Sequence, residues 1–164
     1  MESLKKYLPW IIVGIVVLWG IGAYNGMVNK DQAASEAWAN VESSYQRRMD
    51  LIPNLVNTVK GYANFEQETL TKVVEARASA TQVRIDPSNL TPEKLQEFQA
   101  AQTGVSSALG RLLAVAENYP DLKANQNFLD LQAQLEGTEN RINVARNRFN
   151  ETVRAYNSAI KRFP

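Results

Sequence analysis

Carboxylates are the side chains through which this 164-residue chain could do chemistry, because it contains no histidine and no cysteine. The usual general base, the thiolate nucleophile and the commonest zinc ligands are therefore missing, and no glycine-rich phosphate loop is present. Glu66 and Glu68 point in different directions on a helix, and Glu136 and Glu139 have the spacing of ordinary surface charges. We predict a protein that is not an enzyme, with no catalytic residues, cofactors or metal sites. A hydrolase that uses Asp50, Glu66 and Glu68 is the disfavoured alternative.

One charged cluster could be either buried or exposed. Asp50 stands beside Arg47 and Arg48 and could belong to a buried ion pair. We favour the alternative that these are surface charges, whose pairing contributes little to stability. Together with Asn54 and Asn57 they form a weak candidate for a recognition surface.

The N-terminal segment must hold any such surface at a membrane. Residues 7–28 contain no charged side chain, and 22 helical residues can cross a hydrocarbon core of ~30 Å. The segment contains aromatic side chains of the kind found near lipid headgroups: Tyr7, Trp10, Trp19 and Tyr24. A cleaved signal peptide is the rival interpretation, but its apolar run is usually only ~7–15 residues. We predict a transmembrane anchor over residues 1–30 and a soluble helical domain over residues 31–164.

The charges on either side of the apolar segment predict its orientation in the membrane. Lys5 and Lys6 precede the apolar segment, whereas Lys30 is followed at once by Asp31. The positive-inside rule therefore places the N-terminus in the cytoplasm and the domain outside. Without Glu2, Lys5 and Lys6 the basic and acidic residues balance at 16 each, which argues against nucleic acid as the main partner.

The first helical stretch of the domain covers residues 31–60. Apolar and aromatic residues recur there every three or four positions, as expected for one buried stripe: Trp38, Val41, Tyr45, Met49, Ile52, Val56 and Val59. Pro53 interrupts the backbone hydrogen bonding, so we predict a kink or local break near residues 49–53. Gly61 should end the helix.

The second and third helices have recognisable starts. Asn64 and Gln67 have the spacing of a capping box, which predicts that the second helix begins at Asn64 and fades near Val83. Residues 84–91 read as a loop. Thr91 then caps the third helix, with Pro92 at its first position.

The third and fourth helices carry seven-residue repeats. The third has Phe98, Val105, Leu112 and Tyr119 on one row and Leu95, Leu109 and Ala116 beside it, before Pro120 ends the pattern. The fourth, over residues 125–162, has six large residues on one row: Phe128, Leu135, Ile142, Phe149, Tyr156 and Phe163. Its second row is mostly small: Leu131, Thr138, Ala145, Thr152 and Ala159. Such repeats are typical of helices that pack along a long seam.

These patterns predict an all-α fold, in which the N-terminal transmembrane helix precedes an antiparallel up-down four-helix bundle with long coiled-coil-like helices. That topology returns the basic residues 141–162 toward the membrane, where they could meet an anionic surface; a solvated helix face is the plainer alternative. Gly22 and Gly26 form a G-x-x-x-G pair that could let two membrane helices approach closely.

Several runs resemble one known family. They are Trp38, Val41 and Tyr45, RRMDLIPNLV at positions 47–56, VKGY at 59–62, LTKVVEARA at 70–78, NRI at 140–142, Ala145, Arg146, Asn150, Tyr156, Asn157, Phe163 and Pro164. Over nearly the whole chain they are similar to the LemA family of bacterial proteins. The resemblance implies a membrane helix followed by long antiparallel helices, no established enzymatic activity, and an accessory or scaffold role linked to membrane proteostasis.

Two departures from that family are expected. Phe65 stands where many relatives are expected to carry histidine, so a metal or acid–base role at that position would not extend to this chain. Relatives are also expected to continue beyond Phe163 and Pro164 with a short aromatic and charged tail.

The leading hypothesis is a non-catalytic, membrane-anchored scaffold or interaction protein of the bacterial envelope that self-associates. Its expected location is the inner (cell) membrane, as a single-pass protein with the bundle on the periplasmic side, and its candidate partners are envelope or membrane proteostasis proteins. The alternative is a sensor or adaptor in which the kink at Pro53 transmits a signal between anchor and bundle.

Overall fold

Helices account for all the regular secondary structure that the computed structural model describes, which covers residues 2–62, 65–86 and 91–162. Five helices follow one another in this part of the chain: α1 (Glu2–Lys60), α2 (Gln67–Gln82), α3 (Pro92–Ala116), α4 (Pro120–Lys123) and α5 (Gln126–Lys161). The predicted all-α helical bundle is confirmed, with α4 as an additional single turn between its last two long helices.

The chain divides into two compact units. One contains Trp38–Asn147, and the other combines Met1–Ala37 with Arg148–Pro164. Both α1 and α5 contribute residues to each unit.

The core of the Trp38–Asn147 unit is built from the predicted stripes. All seven stripe residues of α1 are buried, and so are Phe98, Val105 and Leu112 of α3 and Phe128, Leu135 and Ile142 of α5. Burying an apolar side chain of this size contributes ~1.5–3 kcal/mol relative to leaving it exposed. The three- and four-residue spacing therefore places the largest stabilising contribution of each helix on the face that meets its neighbours.

The start of α2 differs from the prediction. The helix begins at Gln67, not at Asn64, and Glu66 precedes it without a side-chain cap. Asn64 itself lies outside the described residues. Phe65, at the position where the first turn was predicted, is buried instead in a tertiary contact, with its ring centroid 4.9 Å from that of Tyr119.

Pro53 does not break α1, which continues as helix to Lys60. Because proline has no N–H, the carbonyl of Met49, four residues earlier, loses its ordinary helical donor. Arg77 of α2 replaces that donor, and its Nε lies 3.0 Å from the Met49 oxygen. The local break predicted near residues 49–53 is therefore wrong, whereas the kink stays a prediction. A side chain from another helix satisfies the carbonyl that Pro53 leaves open.

The bounds of α3 follow local capping chemistry. The Thr91 hydroxyl accepts a hydrogen bond from the Lys94 N–H at 3.3 Å, and Pro92 occupies the first turn, as predicted. The helix ends at Ala116, so Tyr119, predicted as the last member of the α3 row, lies beyond it.

A polar link fastens the start of α5. Asn125 precedes this helix, and its Oδ1 accepts from the Phe128 N–H at 3.1 Å. Its Nδ2 donates to the Tyr62 hydroxyl at 3.0 Å, and that hydroxyl donates to the Asp121 carbonyl. One asparagine therefore caps α5 and ties it to the residues that follow α1.

In the other unit, α1 is long and apolar enough over its N-terminal part to cross a membrane. Its large apolar side chains from Tyr7 to Tyr24 are all exposed, as they must be if lipid is to cover them. The α5 row continues there with Phe149 buried and Tyr156 half-buried, while Phe163 lies outside the described residues.

Candidate functional site

An arginine occupies the core-facing seam of α1. Positions 38, 41, 45, 48, 52, 55 and 59 alternate steps of three and four, and every one of them is buried. Arg48 is the only charged member of this row, and its residue surface is 1% exposed. A charge so deeply buried requires close partners, since its removal from water costs several kcal/mol.

Those partners come from α3 and α5. Arg48 Nη1 donates to the Ser106 hydroxyl at 2.6 Å and to Glu139 Oε1 at 2.5 Å. Its Nη2 donates to the backbone carbonyl of Gln102 at 3.0 Å and to the Gln102 side-chain Oε1 at 2.7 Å. The buried Nε has no hydrogen-bond partner among the described residues. One guanidinium therefore joins three helices, and we call these four residues the Arg48 network.

Aromatic rings enclose this network on the α1 side. The Arg48 guanidinium carbon lies 5.1 Å from the centroid of the Tyr45 ring, within the range of a cation–π contact. The Tyr45 ring meets Phe98 edge to face at 5.1 Å, and Phe98 meets Trp38 in the same manner at 5.4 Å. These contacts hold the rings in fixed orientations, each worth ~0.5–1.5 kcal/mol beyond the area buried.

The electrostatics of Tyr45 reflect its burial. Removal of the phenol from water raises the pKa of Tyr45, and the positive charges of Arg146 and Arg48 oppose that change without cancelling it. The phenol therefore remains neutral at physiological pH and acts as a hydrogen-bonding group.

A polar cavity of about 160 Å³ lies beside the network. Its lining includes Tyr45, Arg48, Ser106, Glu139, Asn143 and Arg146. These side chains place charged groups and hydrogen-bonding groups at fixed positions around the cavity. Among the described residues no group of three acidic, histidine or cysteine side chains is placed to hold a metal ion.

Comparison with known proteins identifies the family of this bundle. The model of the LemA family matches residues 37–164, which contain the whole Arg48 network as well as Pro53 and Arg77. The chain belongs to the LemA family. The expectation drawn from the sequence motifs is thereby confirmed.

Individual relatives are distant in sequence. Protein LemA of Metamycoplasma hominis is 25% identical, with 99% of this chain aligned to 76% of that protein. Magnetosome protein MamQ of Magnetospirillum gryphiswaldense is 27% identical, with 86% of this chain aligned, and Magnetosome protein MamQ 2 of Paramagnetospirillum magneticum is 25% identical over the same share. The aligned region covers 58% of each MamQ protein.

The LemA structure separates the residues of the candidate recognition surface. Arg47, Asp50, Asn54 and Asn57 are exposed on α1, whereas Arg48 is buried on the opposite, core-facing side. The interpretation of Arg48 as a surface charge was therefore wrong. Its place in the three-and-four spacing of the buried stripe was the signal that could have revealed it.

Glu139 also differs from the sequence interpretation. It is not ordinary surface patterning, because its carboxylate is half-buried against Arg48. Glu139 follows Thr138, which is a buried member of the small-residue row of α5. Its side chain therefore lies at the edge of the buried face of that helix.

The three carboxylates of the hydrolase alternative are each held locally. Asp50 accepts from Gln46 at 2.8 Å, and Glu66 accepts from the Thr69 hydroxyl at 2.5 Å. Glu68 pairs with Lys72 at 2.5 Å, and the hydrogen bond and positive charge of that lysine lower the pKa of Glu68. Each carboxylate is bound to a neighbour within four residues in sequence, which is the arrangement of helix-surface charges.

The G-x-x-x-G pair lies in open space on α1, as do Gly14 and Gly20. A Cβ added at Gly22 or at Gly26 would meet no atom within 4 Å among the described residues. The backbone of α1 is therefore accessible at this point to a close neighbour.

Proposed function

We propose that this member of the LemA family is a non-catalytic, membrane-anchored scaffold that binds other proteins and copies of itself. The observation that carries the proposal is the character of α1. Its N-terminal part is apolar and fully exposed, whereas its C-terminal part forms the buried stripe of a bundle. Exposed apolar area of this size is unfavourable in water and favourable in a bilayer.

The Arg48 network supports a scaffold role because it fixes the helices of the bundle relative to one another. A buried charge that is paired and hydrogen-bonded strongly disfavours any arrangement that would separate it from its partners. The exposed face of α1 that carries Arg47, Asp50, Asn54 and Asn57 is thereby presented in one defined shape. We assign recognition of partner proteins to that polar face.

Self-association is assigned to the anchor. Close approach of two membrane helices requires small residues on one face, and Gly22 and Gly26 are one turn apart with open space around them. The contact would place two bundles side by side on one membrane surface.

Crosslinking of the purified chain in mild detergent tests self-association. The double variant Gly22→Ile/Gly26→Ile should lose the crosslinked dimer, because two branched side chains would hold the helices apart. Gly14→Ile/Gly20→Ile is the matched control, since those glycines are also in open space but are not one turn apart. A strictly monomeric wild-type chain that captures no partner after crosslinking would contradict the scaffold proposal.

We place the protein in the inner membrane of a bacterium, with the N-terminus in the cytoplasm and the bundle on the periplasmic side. Lys5 and Lys6 before the apolar segment support this orientation through the positive-inside rule. The partners would then be envelope proteins, including those of membrane proteostasis.

A second candidate function is a sensor or adaptor that transmits a signal along α1. The bond between Arg77 and the Met49 carbonyl favours it, because α2 holds α1 at the point where Pro53 removes a helical hydrogen bond. Release of Arg77 would free that point to bend. Pro53→Ala restores the missing donor and should alter the downstream output; unchanged folding and unchanged output together would exclude this function.

A further inference from the structure

The C-terminal end of α5 concentrates exposed positive charge. Arg148, Arg154, Lys161 and Arg162 are all exposed, and Glu151 is the only acidic residue from position 141 to position 164. Ile160, next to Lys161, is 49% exposed. We call the four cations Arg148, Arg154, Lys161 and Arg162, together with Ile160, the basic end of α5. Exposed cations beside an exposed apolar side chain suit the boundary between lipid headgroups and acyl chains.

The basic end lies in the same compact unit as the apolar part of α1. That unit combines Arg148–Pro164 with Met1–Ala37. The charge-free segment of α1 ends at position 28, so the rest of α1 in this unit extends at most ~14 Å beyond it, at 1.5 Å per residue. The electrostatic screening length at physiological ionic strength is ~8 Å. The part of α1 in this unit therefore ends within two screening lengths of the charge-free segment.

The favourable interaction of cations with a helix C-terminus explains the position of only some of these basic residues. Cations favour a helix C-terminus, but the effect is confined to the last turn. Because α5 ends at Lys161, that explanation covers Lys161. It does not cover Arg154, two turns earlier, or Arg148, which lies earlier still.

We propose that the basic end of α5 binds anionic lipid headgroups, of the phosphatidylglycerol type, in the leaflet from which the anchor emerges. The inference rests on the membrane anchoring proposed above. Its consequence is a second attachment to the bilayer, which fixes the unit against the membrane surface in addition to the single span of α1.

The size of the effect follows from the charge of the leaflet. Each Lys or Arg close to an anionic surface changes the bound population by roughly fivefold. Arg154 and Lys161 are seven residues apart and so lie on nearly the same side of α5. Arg154→Gln/Lys161→Gln should therefore reduce the preference for anionic lipid by on the order of tenfold or more. Both side chains are exposed, and such replacements change folding stability little.

Fluorescence quenching in vesicles tests the proposal with the full chain. The protein has no cysteine, so Ser158→Cys, at an exposed position of α5, provides a single labelled thiol. Phosphatidylcholine vesicles would carry a trace of quencher on either phosphatidylglycerol or phosphatidylcholine. We expect the phosphatidylglycerol quencher to act on the order of tenfold more strongly at equal fraction, and the double variant to remove most of that difference. Lys94→Gln/Arg111→Gln removes two exposed cations of α3 and should preserve it.

Three outcomes contradict the lipid proposal. Equal quenching by the two lipids would refute it, and so would an unchanged preference in the double variant. If inorganic phosphate abolished the preference at an ionic strength where chloride did not, the basic end would be a site for small anions instead.

Insertion is measured on the same samples by resistance to alkaline carbonate extraction. Insertion without a lipid preference would refute the lipid proposal and leave the anchor intact. Failure to insert would refute both.

Discussion

Replacement of Glu139 by alanine should destabilise the bundle, because it leaves the buried Arg48 charge without its carboxylate. The guanidinium is within the core, and Glu139 Oε1 lies 2.5 Å from Nη1. Ser106 and Gln102 would keep their three hydrogen bonds to the guanidinium. The variant therefore removes one charged partner and leaves the remaining geometry in place.

The expected loss in the free energy of unfolding follows from the removal of this one charged partner. A hydrogen bond to a charged group is worth ~1.5–3 kcal/mol, and removing one partner of a fully buried pair costs ~3–5 kcal/mol. The Glu139 side chain is 42% exposed, so water screens part of the interaction and can replace part of it. We expect a loss of ~1.5 kcal/mol for Glu139→Ala. Arg48→Ala should cost more, ~3–5 kcal/mol, because it removes all four hydrogen bonds of the guanidinium and leaves the buried Gln102 side chain without its donor.

Guanidinium denaturation of the full chain in mild detergent, followed by helical circular dichroism, would measure both losses. The coupling between Arg48 and Glu139 comes from a double-mutant cycle with Arg48→Met, which retains the volume of the side chain without its charge. Glu139→Ala should cost clearly less in the Arg48→Met background. Glu68→Ala is the matched control, since its partner Lys72 is exposed, and it should leave the denaturation midpoint unchanged.

Two results would refute this reasoning. If Glu139→Ala left the midpoint where Glu68→Ala leaves it, the pair would contribute nothing beyond an exposed salt bridge. If Glu139→Ala cost the same with Met at position 48, its effect would not arise from the buried charge.

Three further predictions concern single contacts. Arg77→Met should lower the free energy of unfolding by ~1 kcal/mol in the wild-type chain and by almost nothing in the Pro53→Ala background. In that background the N–H of Ala at position 53 donates to the Met49 carbonyl. A double-mutant cycle followed by denaturation measures both losses. Since burial raises the pKa of Tyr45, the folded state keeps its phenolic proton to higher pH than the unfolded state. The resulting stability is complete below pH ~10 and is lost as the pH rises through the folded pKa, so stability measured against pH should fall less steeply above pH ~10 in Tyr45→Phe. Thr91→Ala should cost ~1 kcal/mol by loss of the α3 cap, measured by the same denaturation.

Each of these has a contradicting result. Equal costs of Arg77→Met with and without Pro53 would show that its bond to Met49 does not compensate for the proline. An identical alkaline loss of stability in Tyr45→Phe would remove the burial argument. For Thr91, Thr91→Ser retains the hydroxyl and should restore most of the stability; an equal loss in both variants would assign the effect to packing of the threonine methyl group.

The sequence predicted the elements whose signals are local or periodic. The buried stripe of α1 from Trp38 to Val59 followed from its spacing, and the cap at Thr91 followed from residue type and the adjacent Pro92. The seven-residue rows identified the core face of α3 as far as Leu112 and that of α5 as far as Phe149 in the same way.

The features that sequence reasoning missed depend on contacts between distant positions. Arg48 fits the buried spacing, but a charged residue is rarely buried without partners. Its partners lie 54 to 91 positions away, and no local pattern shows that they face it. The donor to the carbonyl that Pro53 leaves open likewise comes from a distant position, Arg77, which lies 28 positions from Met49.

The start of α2 was mispredicted for a related reason. The spacing of Asn64 and Gln67 suits a capping box, which is a purely local signal. Burial of Phe65 against Tyr119 is a tertiary contact, and the helix begins only after it, at Gln67.

Labelling of single-cysteine variants with a membrane-impermeant maleimide tests both the membrane span of α1 and the side on which the bundle lies. Ile15→Cys lies in the apolar part of α1, and Ser107→Cys lies at an exposed position of the bundle. In intact cells, with the outer membrane permeabilised if there is one, we expect Ser107→Cys to be labelled. Ile15→Cys should resist the reagent until detergent dissolves the membrane. Labelling of Ile15→Cys in intact membranes would contradict the membrane span, and labelling of Ser107→Cys only after lysis would place the bundle in the cytoplasm.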